Sequence, residues 1–123
     1  MAKAVCRILG SIFLVIGLIV IFRNAPVDKY HNALHLVTGV IALVVGFAGS
    51  TSAARAYCLG FGAFYLVFGL LGMVMGDREA FYMWHIGPMH LNMGDHLFHV
   101  VLGPFLLMSG LPTKRAARRS ELV

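Results

Sequence analysis

The sequence predicts an all-α integral membrane protein, a four-helix bundle built from two tandem helical hairpins with a pseudo-twofold axis along the membrane normal. Three observations lead there. Of the 123 residues, 59% are hydrophobic and only 12% are charged, with a mean hydropathy of +0.84, far from the balance of a water-soluble domain. The apolar residues gather into four runs, each near the ~20 residues that a helix rising about 1.5 Å per residue needs to cross hydrocarbon. The runs also repeat, the first matching the third and the second matching the fourth.

The first run, 5–22, is flanked by Lys3 and contains Arg7 near its start. It resembles a secretory leader in length, but no small-x-small cleavage site follows and Arg23-Asn24 closes it, so a retained span is expected. The second run, 31–48, opens on His31-Asn32 and carries His35 one turn further on. In the third, 53–75, Tyr65-Leu66-Val67-Phe68-Gly69-Leu70 repeats Phe13-Leu14-Val15-Ile16-Gly17-Leu18 at an offset of 52, which lays Cys58 on Cys6. The fourth, 95–111, repeats the second at an offset of 64, pairing His99 with His35, Gly103 with Gly39 and Gly110 with Gly46. The larger offset reflects a longer loop in the second copy. Because each unit holds two spans, the copies point the same way across the bilayer. Residues 1–113 form the transmembrane domain on this division, and 114–123 form a basic tail.

Glycine spacing pairs the helices. Gly10 and Gly17, Gly39 and Gly46, Gly62 and Gly69, and Gly103 and Gly110 are each seven apart, which puts one bare patch per two turns on a single face of every helix. Backbones approach closely at such patches, and in lipid that approach supplies packing energy which the hydrophobic effect does not. Cys6 and Cys58 are expected as unpaired, buried small residues.

The net charge of +5 does not indicate nucleic acid, because the basic residues sit at helix ends rather than along an aromatic-lined groove. They indicate orientation instead. Lys3, Arg7, Arg55, Lys114, Arg115, Arg118 and Arg119 fall on one side, and Arg23, Lys29 and Arg78 on the other, so both termini are expected in the cytoplasm. Lys114 to Arg119 also suit contact with anionic lipid headgroups. All six histidines then lie in the outer half or the outer loops.

Two stretches stand out for chemistry: His31-Asn32-Ala33-Leu34-His35-Leu36-Val37-Thr38-Gly39, and its counterpart Asp95-His96-Leu97-Phe98-His99-Val100-Val101-Leu102-Gly103. His31 and His35 share one helix face, as do Asp95 and His99, and His96 and His99. If the copies face each other, His35 and His99 meet at equal depth. Two opposed neutral imidazoles suit a haem or a chlorophyll-type tetrapyrrole, and with His31, Asp95 and His96 they suit a zinc or copper ion. The polar-pin reading is plainer. Asp95 and Asn32 lie near helix starts, where a side-chain oxygen takes a free backbone N–H, and a histidine one turn in bonds across to a neighbouring helix as a polar pin. Proton relay is a third use. The loop 76–90 carries Phe81, Tyr82, Met83, Trp84, His85, Met89 and His90, which reads as an interfacial aromatic belt or, through methionine sulfur and imidazole, as copper handling.

The pattern Asn32-Ala33-Leu34-His35-Leu36-Val37-Thr38-Gly39, together with Leu91-Asn92-Met93-Gly94-Asp95-His96-Leu97-Phe98-His99, resembles a bacterial four-helix membrane family catalogued as domain of unknown function 4383. The resemblance covers about residues 4 to 111 and implies a fold and a place in the bacterial cytoplasmic (inner) membrane, with no activity. The chain departs from the family pattern at His96, where asparagine is usual, and in the aromatic, methionine- and histidine-rich loop 76–90. Both departures add ligands on the outer side.

No phosphate loop, nucleophile elbow, zinc-protease helix or paired carboxylates are present, so no enzyme is expected. The expected function is that of a non-enzymatic accessory or structural subunit, packed in the lipid bilayer against other membrane proteins or a larger membrane complex, with His35 and His99 as pins. The alternative is a small haem, pigment or metal protein using the same histidines.

Overall fold

The computed structural model describes residues 1–112; the basic tail at 114–123 lies outside the described residues. Four helices dominate: α1 (Ala2–Phe22), α2 (Lys29–Phe47), α3 (Thr51–Met75) and α4 (Met93–Gly110). Between α3 and α4 the chain forms a small antiparallel hairpin, β1 (Trp84–Ile86) and β2 (Met89–Leu91). The chain is thus mostly helical rather than purely helical, because part of the stretch expected as loop is strand. Gly87, at φ +55, allows the tight turn that joins the two strands. Helices α1, α2 and α3 are each long and apolar enough to cross a membrane. Helix α4 is shorter, at 18 residues, and carries Asp95, His96, His99 and Pro104.

The last three helices begin two residues ahead of the apolar runs because polar side chains cap them. The Asp28 carboxylate accepts from the His31 backbone N–H at 2.8 Å, and Ser50 Oγ accepts from Ala53 N–H at 3.0 Å. At α4 the Asn92 side chain accepts from Gly94 N–H, and Asp95 accepts in return from Asn92 N–H, both at 2.8 Å. Each cap stabilises its helix by about 1 kcal/mol. Asp95 therefore does sit at a helix start, as expected. Asn32 does not cap: it lies one turn inside α2 and its amide donates to the Gly17 carbonyl of α1 at 3.2 Å.

The glycines lie where helices touch. A Cβ added at Gly10 would stand 2.7 Å from the Gly39 carbonyl oxygen, and one at Gly62 would stand 2.9 Å from that of Gly103. Gly46 faces Arg7 and Cys6, and Gly110 faces Leu59 and Arg55. Two seams result, α1 on α2 and α3 on α4, and no larger residue fits either without separating the backbones. Between the hairpins the core mixes small residues with the buried rings of Phe13, Tyr57 and Tyr65, and Cys6, Ala42, Ala54, Cys58 and Leu106 are wholly buried. Cys6 and Cys58 are free thiols with sulfurs 3.9 Å apart, and the Tyr57 hydroxyl donates to the Thr38 carbonyl at 3.0 Å. Every helix also turns large apolar side chains outward, among them Ile16, Val44, Val67 and Val101.

The loop before α4 is held in an unusual conformation. Phe81 and Tyr82 both have positive φ, at 53 and 55, where side-chain residues lose about 1–3 kcal/mol each. Helix α4 compensates: Met93 N–H donates to the Phe81 carbonyl at 3.1 Å, and a His96 ring nitrogen lies 2.9 Å from the Tyr82 carbonyl oxygen.

Candidate metal centre between α2 and α4

Helical spacing puts His31 and His35 on one face of α2, one turn apart. The Asp28 cap sets where that helix starts, and hence where His31 falls. His99 comes from the facing side of α4. The three imidazoles converge: one ligand nitrogen from each lies within 4.8 Å of the others. His31 Nε2 and His35 Nε2 are 2.8 Å apart and share a hydrogen bond. The His99 ring centre is 5.4 Å from that of His31 and 5.8 Å from that of His35.

Aromatic rings pack around this cluster. Tyr65 stacks on His99 at 5.1 Å and lies parallel to His35 at 6.1 Å, while Phe13 meets His35 edge-on at 4.5 Å. Phe68 and Phe98 complete the enclosure of His99. The Tyr65 hydroxyl is itself anchored, 3.1 Å from Thr38 Oγ1. On the open side the Asp95 carboxylate reaches His31 Nδ1 at 3.5 Å. Thus Asp95 serves both the α4 capping box and the orientation of His31.

His99 is 2% exposed, and among the described residues neither of its ring nitrogens has a hydrogen-bond partner; His35 Nδ1 and, outside the cluster, His96 Nδ1 are equally without one. A buried imidazole left this way costs about 1–3 kcal/mol, which the expected polar pin would have avoided. The pin geometry is therefore absent: His35 bonds within its own helix to His31, and His99 bonds across to nothing. What the arrangement offers instead is three nitrogen donors, a carboxylate on the outer nitrogen of one of them, and a dry aromatic wall.

Of the five residues singled out from sequence, His31, His35 and His99 form the cluster and Asp95 touches it. His96 does not join them. It is wholly buried, occupies the recess that the missing side chain of Gly72 provides, and supports the Tyr82 carbonyl. Tyr65 and Phe13 were not singled out beforehand. Their matched position in the two repeats, at the offset of 52, was the available signal, since both rings face the histidines.

Outside the helices, Asp28 has a second partner. Its other oxygen accepts from the His90 backbone N–H at 2.9 Å and lies 3.1 Å from His90 Nδ1, which ties the start of α2 to the β-hairpin. Burial pushes the Asp28 carboxyl up, but the backbone N–H groups of His31 and His90 and the His90 ring outweigh it and hold the group below its ordinary value. His85 faces His90 across the hairpin with ring centres 4.7 Å apart.

A family model described as a domain of unknown function (DUF4383) matches residues 19–111. No curated protein matches the chain, and no solved structure does.

Proposed function

We propose that this chain, which belongs to the DUF4383 family, is a non-enzymatic multi-pass membrane protein that holds a transition-metal ion between α2 and α4. One observation carries the reading: a buried His99 with both nitrogens unpartnered, set beside two further histidines whose ligand atoms lie within 4.8 Å. Metal binding would engage one of the two His99 nitrogens that no protein group answers. Three neutral imidazoles suit zinc or copper, with bonds of about 2.0–2.1 Å and a fourth position left for another ligand. The carboxylate against His31 Nδ1 is the usual way a ligating histidine is oriented and made more basic. An ion is favoured over a tetrapyrrole because Tyr65 and His31 occupy the space beside His35 and His99 that a flat macrocycle would need.

The apolar outward faces of all four helices support a setting in lipid. The bias of basic residues supports cytoplasmic termini, in what the proposal takes to be a bacterial inner membrane, and the internal repeats support two hairpins about an axis along the membrane normal. The same outward faces support packing against other membrane proteins, in which case the ion would fix the relative position of the hairpins.

The test is metal content. Protein purified in detergent, stripped with a chelator and exposed to zinc or copper is expected to retain one ion per chain after desalting. His35→Gln and His99→Gln should abolish retention, since a neutral amide is a poor ligand for either metal, while His96→Gln should keep it. Substoichiometric metal in the parent, or full retention in His99→Gln, would leave only the packing role.

A further inference from the structure

A second pair of imidazoles stands apart from the buried cluster, on the β-hairpin. We propose that His85 and His90 bind a divalent transition-metal ion there, copper(II) most tightly, with Asp28 as the carboxylate that orients His90.

The strand register brings the two side chains together. His85 pairs with His90, one step from the Ile86–Met89 pair that flanks the turn. The His90 N–H is directed to Asp28 at 2.9 Å and not across the hairpin, which makes this a non-hydrogen-bonded pair. In such pairs the facing Cα atoms stand about 4.5 Å apart and the side chains come closest. Both rings then lie on one face of the hairpin. On its other face Met89 and Leu91 are buried, and Trp84 packs on Phe68 of α3 with ring centres 5.2 Å apart. The hairpin is therefore a platform fixed to the bundle, and His85 and His90 are exposed on its outer side.

The His90 ring is already set for ligation. Its Nδ1 lies 3.1 Å from the Asp28 carboxylate, and an ionised carboxylate only accepts, so Nδ1 carries the proton and Nε2 keeps its lone pair. A metal-ligating histidine almost always donates its second nitrogen in this way. Asp28 is fixed in turn, since its other oxygen accepts from the His31 N–H at 2.8 Å. The His90 side chain remains 51% exposed, so an ion reaches it from water. Two imidazole nitrogens on one zinc-sized ion, each at about 2.0–2.1 Å, stand no more than about 4.2 Å apart. Ring centres 4.7 Å from each other bring nitrogens within that reach once the exposed His85 ring turns about its side-chain bonds. Imidazole suits zinc and copper alike, and copper(II) heads the affinity order. Two protein ligands leave the remaining positions to water, so the ion exchanges. The pair shares no ligand with His31, His35 and His99, and the inference stands whether or not those three hold an ion.

The competing account is ring packing alone, and an equilibrium titration separates the two. The tag-free full chain in detergent is stripped with a chelator and titrated with copper(II), as the parent and as His99→Gln, which removes the buried centre. Calorimetry gives the affinity, and electron paramagnetic resonance counts the coupled nitrogens. In the His99→Gln background one exchangeable ion with two coupled nitrogens is expected. His85→Gln and His90→Gln, both at exposed positions, should each weaken it about tenfold or more, because a neutral amide is a poor ligand. Asp28→Asn still caps the helix but should weaken the ion about tenfold by taking the carboxylate from Nδ1. In the parent the same two glutamine changes should remove the exchangeable ion and leave any ion that survives desalting, so the failure of either centre is read separately. Affinity unchanged in His85→Gln or in His90→Gln, or a spectrum with a single coupled nitrogen, would reduce the pair to packed rings and overturn the proposal. Unchanged affinity in Asp28→Asn would overturn the part assigned to the carboxylate.

Discussion

Gly103→Ala is expected to destabilise the fold far more than its single methyl group implies. The new Cβ would stand 2.6 Å from the Leu66 backbone nitrogen, 2.7 Å from Leu66 Cβ and 2.8 Å from the Gly62 carbonyl oxygen. Carbon contacts are optimal at about 3.5–4.0 Å, so α4 must withdraw from α3 by about 1 Å, and a gap of that order forfeits about a quarter to a half of the attraction of each contact it opens. Two of the three obstructing atoms belong to the backbone and cannot rotate aside. The loss is shared along the seam, because Gly62, Gly69 and Gly110 are seated on the same pair of helices. Overpacked sites of this kind lose about 1–3 kcal/mol, or about 5- to 150-fold in the folding equilibrium. Gly60→Ala is the control: an added Cβ there meets nothing within 4 Å, and alanine's helix propensity favours it by up to about 1 kcal/mol. Unfolding in mixed micelles titrated with a denaturing detergent, followed by circular dichroism, measures both. If Gly103→Ala proves as stable as Gly60→Ala, close approach at the seam is not what holds α3 to α4. A Leu66→Ala change should not rescue Gly103→Ala, since the backbone nitrogen and the Gly62 carbonyl would remain in the way.

Further outcomes are expected elsewhere in the fold. His96→Ala should destabilise by about 2–4 kcal/mol, from the cavity it leaves and the Tyr82 carbonyl it abandons, yet leave metal retention unchanged; loss of metal in this variant would return His96 to the ligand set. Asp28 contributes stability at neutral pH that is lost as pH falls through its lowered value, because its carboxyl is held below the value of the unfolded chain. Stability measured over about pH 3–7 should therefore decline on the acid side, and Asp28→Asn should flatten that decline; an unchanged slope would show that the His90 tie contributes nothing. Reporter fusions at Arg55 and Val123 should report a cytoplasmic location, and fusions at Asp28 and Trp84 an external one. A periplasmic Arg55 would invert the orientation and move the histidine cluster to the inner half.

Residue order by itself determined the helices and their pairing. Four apolar runs, a repeat of glycine every seven residues and two internal offsets specify which faces are bare enough to meet, since those signals are local and periodic. The offset of 52 brought Cys6 to Cys58 on paper, and their sulfurs lie 3.9 Å apart. Convergence of His35 with His99 was legible for the same reason. The tertiary structure alone decided the partners of the polar side chains. Asn32 reads as a cap from its neighbours, yet Asp28 starts the helix four residues earlier and frees Asn32 to reach Gly17. His96 and His31 look equivalent as ligands, each one turn from a second histidine, but Gly72 opens a recess that takes the His96 ring away from the cluster. The strands around Gly87 escaped notice because three-residue segments carry too little periodicity to show. Whether His99 bonds to anything depends on the surrounding rings of Tyr65, Phe68 and Phe98, two of them brought from α3 by packing along the seam and so not legible from the residues around His99 alone.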